Sequence, residues 1–237
     1  MYYKISNTAS RKVLEKTMSR PLKYPSLYEK KILINGLDEA TIPIVAMNDK
    51  GTITPAIWGL LPNGYKEDWS IFQNVCNTLN MTLEDVNPNS WHSTSLSEKR
   101  CLIPITGFFT SYVHNGILYP SLVRKSNGEP FCLAGIYSVL EDGFLTCSII
   151  TCKADELVQS VHNIGETMPK ILSRELQSAW LDEGLDRSDI KEIVYAPHEY
   201  EMKSHTIARE LYNNNISYDS MLDAFFYDNL PTAPFKN

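Results

Sequence analysis

The sequence predicts an α+β fold: a single domain with a mostly antiparallel β-sheet or barrel core and peripheral helices. Three observations carry this. Short β-branched and aromatic runs fill residues 32–152, Gly, Pro, Asn and Asp punctuate them, and helical spacing is confined to the two ends. With 237 residues, 43% of them hydrophobic and 21% charged, the chain can bury a sizeable core as one domain over 1–225. Residues 226–237, which include NLPTAPFKN, read as a loosely held tail.

Taken in order, residues 8–19 place Val13, Leu14 and Met18 at helical spacing, with Asn7 or Thr8 as the cap. Strands follow at ILI, TIPIVAM and TITPAIWGLL. They continue through RCLIPITGFF, ILYPSLVR, FCLAGIYSVL and FLTCSIITC, with SNGE and EDG as tight turns. Cys147 and Cys152 stand an odd number of residues apart in the last run, so on a strand they face opposite ways and read as buried structural thiols. Beyond Met168-Pro169, Ser173 caps a helix containing Leu176, Trp180 and Leu181, and Ser188 caps another with Ile190, Ile193 and Val194.

Composition narrows the function. No apolar run has the length of a signal peptide or membrane span, and the odd set of five cysteines lacks a CxxC pair, so a reducing cytoplasm is expected. There is no metal-spaced His/Cys cluster and no GxGxxG, Walker, HExxH or GxSxG motif, so neither metal nor cofactor is expected. A monomer is the expected state. The net charge of −6 does not advertise a nucleic-acid binder. Yet residues 1–31 carry Lys4, Arg11, Lys12, Lys16, Arg20, Lys23, Lys30 and Lys31 against Glu15 and Glu29, a face able to meet phosphates or merely to be solvated.

Four segments, in order, resemble the SOS-response-associated peptidase (SRAP) family. They are Trp58-Gly59-Leu60-Leu61-Pro62; Asn80 with Glu84 in NMTLED; Arg100-Cys101-Leu102-Ile103-Pro104 before Gly107-Phe108-Phe109; and His162-Asn163 before Met168-Pro169. YPSLVR, FCLAGIYSVL, SIITCKADEL and AWLD extend the likeness to about residue 225. The resemblance implies a β-rich α+β domain that binds single-stranded DNA and shields abasic sites. In that family a cysteine after the initiator Met captures the ring-opened sugar aldehyde as a thiazolidine, its amine and thiol acting together.

This sequence departs from that pattern at the site. Asn80 and His162 match, but Tyr2 stands at the cysteine position and Thr110 at that of a glutamate, while Thr82 and Thr167 replace arginines. A phenol cannot supply the sulfur, and a threonine cannot do carboxylate proton transfer. Thiazolidine cross-linking and cysteine-dependent self-processing are therefore expected to be lost. The first reading is a protein that still binds single-stranded or abasic-site DNA, or junctions with a recessed end, in a DNA-damage context. Its expected contacts are Lys4, Arg100, Glu84 and stacking on Trp58 or Trp69. An alternative is a weak lyase in which the Met1 amine forms an imine and His162 acts as base. Another is a repurposed module binding a protein or small ligand without catalysis. A peptidase pair of His162 with Ser111 or Thr110 lacks an evident acidic orienter.

Overall fold

The computed structural model describes residues 2–86, 89–213 and 219–230. Each strand-like run forms a strand, except RCLIPITGFF, which divides at Thr106 into two: β2 (Lys31–Asn35), β3 (Thr41–Ala46), β4 (Asp49–Trp58), β6 (Arg100–Ile105), β7 (Gly107–His114), β8 (Ile117–Lys125), β9 (Phe131–Val139) and β10 (Leu145–Lys153). Short strands join them: β1 (Lys4–Asn7), β5 (Asn80–Met81), β11 (Thr167–Pro169), β12 (Ile171–Leu172) and β13 (Met202–Thr206). One sheet runs β13-β8-β7-β1-β2. In the other, β10-β4-β3-β6-β9 closes through a β9–β10 pairing into a barrel. All its pairings are antiparallel save β10 with β4, and β5 adds to β10 in parallel.

Turn chemistry sets the register. Between β7 and β8, Asn115 and Gly116 both take positive φ, 50° and 74°, the two-residue turn that suits strand twist, with His114 opposite Ile117. At Gly135 on β9, an added Cβ would lie 2.6 Å from Ile103 Cδ1 and 2.9 Å from Cys101 Sγ, so only glycine lets β6 and β9 side chains close up there.

The helices are α1 (Arg11–Met18), α2 (Trp69–Val75), α3 (Ser93–Glu98), α4 (Glu156–Val161), α5 (Arg174–Trp180), α6 (Arg187–Tyr195) and α7 (Glu210–Asn213). Two caps differ from expectation. Ser10, not Asn7 or Thr8, caps α1, because Asn7 bonds Pro104 O and Thr8 bonds Thr106, both holding β1 to the strands beyond it. Asp186, not Ser188, caps α6: its carboxylate accepts from Ser188 and Asp189 while the Asp189 side chain accepts from the Asp186 amide. Ser173 caps α5 as expected.

The tail is held further than expected. Tyr227 donates to Ile207 O (2.8 Å), and the Arg209 guanidinium lies over both the Tyr227 and Tyr119 rings. Residues 231–237 lie outside the described residues. Among the described residues, no helix is long and apolar enough to cross a membrane.

Candidate functional site

Tyr2, Asn80, Thr110, His162 and Thr167, spread over 166 positions, converge where β1 and β7 of the first sheet meet β5, α4 and β11. Tyr2 precedes β1, which pairs with β7 through Ile5 and Phe108. Its side chain is 2% exposed, its hydroxyl donates to Thr167 O (2.7 Å), and its ring lies 5.3 Å from the His162 ring and 5.6 Å from that of Phe108. Asn80, set by its pairing with Ile149, donates through Nδ2 to Tyr2 O.

His162 follows the last turn of α4. Its Nδ1 lies 3.1 Å from Ser111 O and donates to it, which leaves Nε2 as the lone-pair nitrogen of a neutral ring. Among the described residues Nε2 is buried without a hydrogen-bond partner, as is Asn80 Oδ1. Burial holds the imidazole below its ordinary value, against the raising effect of the Ser111 carbonyl, so the ring stays neutral near pH 7. Asn163 fixes the segment by bonding both the amide and the carbonyl of Val113, at 2.8 and 2.9 Å. Residues 163–166 are exposed and form the rim. Thr110 donates to Val161 O (3.2 Å), so its hydroxyl ties β7 to α4. The cluster thus offers a basic ring nitrogen and an amide oxygen, with neither carboxylate nor thiol among its side chains.

Three of the four expected DNA contacts lie away from solvent. Trp58 is fully buried and donates to Leu79 O (2.8 Å), so it anchors the core and cannot stack on a base. Arg100 is also fully buried. It donates to Trp180 O, Leu96 O, Ser97 O and Asp182 O, which spends its guanidinium on carbonyls and leaves nothing for a phosphate. Lys4 is 6% exposed and sits 5.7 Å from the Tyr3 ring centroid; burial lowers its pKa, with Asp38 opposing. Glu84 is exposed but faces α6, accepting from the Tyr195 hydroxyl at 3.0 Å. Trp69 is buried as well, and Thr82 closes a local turn on Asp85. Met1 lies outside the described residues.

The sequence reading missed the exposed tryptophan, Trp91, which stands edge-on to Phe72 and to His92. Ser111, weighed in the sequence only for its hydroxyl, meets His162 instead through its backbone carbonyl, which leaves no mark in a side-chain pattern. Of the basic N-terminal face, Arg11 pairs with Glu15 and Lys23 with Asp49, whereas Lys12, Lys16, Lys30 and Lys31 are exposed. Cys101, Cys132 and Cys147 are buried, Cys152 is half-buried and Cys76 is exposed. Burial pushes Cys132 up to about 12 and Cys152 to about 11, so neither is a nucleophile at neutral pH. No group of three or more potential metal ligands occurs among the described residues.

Known proteins match this chain along most of its length. A crystal structure of a protein from Bacteroides thetaiotaomicron superposes with a TM-score of 0.83 at 20% identity, covering 94% of this chain and all of that one. One from Bordetella bronchiseptica gives 0.72 at 15% identity, covering 87% and 99%. Both show the fold alone. In sequence, the Bacillus subtilis protein named abasic site processing protein YobE is 27% identical over 147 residues, 60% of this chain and 64% of that protein. A Saccharomyces cerevisiae protein named abasic site processing protein YMR114C is 28% identical over 53% of this chain and 33% of its own length. The match therefore spans just under two-thirds of the Bacillus relative. The profile described as SOS response associated peptidase (SRAP) matches residues 3–214, and on that extent the chain belongs to the SRAP family.

Proposed function

We propose that this protein binds single-stranded or abasic-site DNA in a DNA-damage context and holds it without a thiol-dependent covalent bond. The observation that carries this reading is the buried pair of acceptors, His162 Nε2 and Asn80 Oδ1, with no partner among the described residues, beside an exposed rim. Buried polar atoms rarely stay unpaired, and a ligand bearing hydroxyl donors, such as an open deoxyribose, would satisfy both. Two relatives named as abasic site processing proteins support the same substrate class. Trp91 supplies the exposed aromatic surface for base stacking, and Lys12, Lys16, Lys30 and Lys31 the exposed cations. With Tyr2 and Thr110 in the cluster, aldehyde capture as a thiazolidine has no sulfur to use.

The test is salt-titrated binding to single-stranded DNA with and without one abasic site, together with cross-linking with and without borohydride. The expected result is a several-fold preference for the abasic strand that His162→Ala and Asn80→Ala erase, with no adduct stable without borohydride. A borohydride-dependent adduct would add imine formation by an amine. Absence of binding even at low salt defeats the DNA reading in favour of a repurposed ligand-binding module, a reading that the burial of Trp58, Arg100 and Lys4 supports.

A further inference from the structure

A cavity of about 210 Å³, apart from the Asn80–His162 cluster, opens between β10, β11 and the end of α6. Cys152, Asp155, Met168, Lys170, Tyr195 and His198 line it. Lys170 is 2% exposed and donates to Ala196 O; no carboxylate among the described residues lies within ion-pair distance of its ammonium. An ammonium carries three donors, and a buried charge without a counterion is costly. Across the cavity, His198 Nε2 meets Asp155 Oδ2 at 3.1 Å. The other oxygen of that carboxylate caps α4 through Val158 N at 2.8 Å, so Asp155 is committed on both sides. In the neutral ring whose Nε2 proton is given to Asp155, His198 Nδ1 is a lone-pair acceptor, and among the described residues it is buried with no partner.

The cavity therefore lacks two things at once: an anion for Lys170 and a donor for His198 Nδ1. A carboxylate or sulfate ion supplies only the first. A hydrogen phosphate group supplies both, with anionic oxygens for the ammonium and a P–OH for the imidazole. We propose that this cavity binds the hydrogen phosphate ion. The volume suits one such ion, and Cys152 adds a neutral, weakly donating wall because burial keeps its thiol protonated. The cavity differs from the Asn80–His162 cluster and does not rest on DNA binding.

Calorimetric titration of the full chain at pH 8 with inorganic phosphate, sulfate, acetate and glycerol phosphate, at matched ionic strength, tests this. Phosphate is expected to bind at least tenfold more tightly than sulfate, acetate or glycerol phosphate, whose ester phosphate has lost its P–OH at this pH. Lys170→Met, which removes the buried charge at nearly constant volume, should abolish phosphate binding while leaving thermal stability equal or higher. His198→Phe should abolish it independently, which covers the case of a poorly folded lysine variant. His162→Ala should leave it unchanged. Equal affinity for sulfate and phosphate, no phosphate binding at millimolar concentration, or binding that survives both cavity substitutions would overturn the proposal.

Discussion

Arg100 shows how a residue type can mislead until its partners are known. As a basic residue in a family-like segment it reads as a phosphate contact, but four carbonyls consume it. Arg100→Ala is expected to cost about 3–5 kcal/mol in urea unfolding, since it strands buried acceptors, and to alter DNA binding only through that loss. His162 carries a pH prediction. Its folded value lies below the ordinary 6.5, so the unfolded chain takes up the proton first, and stability present above about pH 6.5 declines as pH falls through that value. His205, lowered mainly by burial, acts in the same direction. The depressed carboxyls of Asp155 and Glu84 add their loss only nearer pH 4, so the two sets separate on the pH axis. His162→Gln should therefore flatten the fall in melting temperature between pH 7.5 and 5.5. In the cluster, Asn80 and His162 were legible from their motif, whereas the Ser111 carbonyl and the Thr167 carbonyl that hold His162 and Tyr2 were not, because backbone groups carry no residue signature.

Among the elements, long strands with alternating or continuous apolar runs were readable, because period and turn residues agree over eight to ten positions, as in β7 and β8 around Asn115-Gly116. The short pieces were not. β5 and β12 have two residues each and exist only because β10 and β9 offer them an edge. Two of the three caps failed for a related reason: several residues near a helix start can cap, and tertiary bonds decide which is free, as Thr106 decides for Thr8. At α6 the reciprocal Asp186–Asp189 arrangement makes a firm prediction. Asp186→Ala should lower stability by roughly 1–2 kcal/mol, measured by denaturant titration, while Ser188→Ala should be nearly neutral.

For the whole molecule, barrel closure was one of two outcomes that the strand pattern allowed; the β9–β10 pairing that closes it joins strands through the EDG turn, whereas the parallel β10–β4 contact is long-range and left no local signal. The net charge of −6 sets the expected form of any DNA binding: if the exposed lysines of the N-terminal region, Lys12, Lys16, Lys30 and Lys31, carry the contact, the log–log salt slope should be shallow, about −2 to −4, as read by anisotropy at several salt concentrations. The Arg209 stack has a practical consequence. Residues 219–230 carry Met221, which packs with Phe109, Leu122, Ile207 and Leu211, and Tyr227, which faces Arg209. A chain cut at residue 214, where the family match stops, would lose one wall of that small apolar cluster and bare a greasy strip along β7 and β8. Such a shortened protein should come out of expression prone to clumping, whereas one ending after Leu230 should stay dispersed.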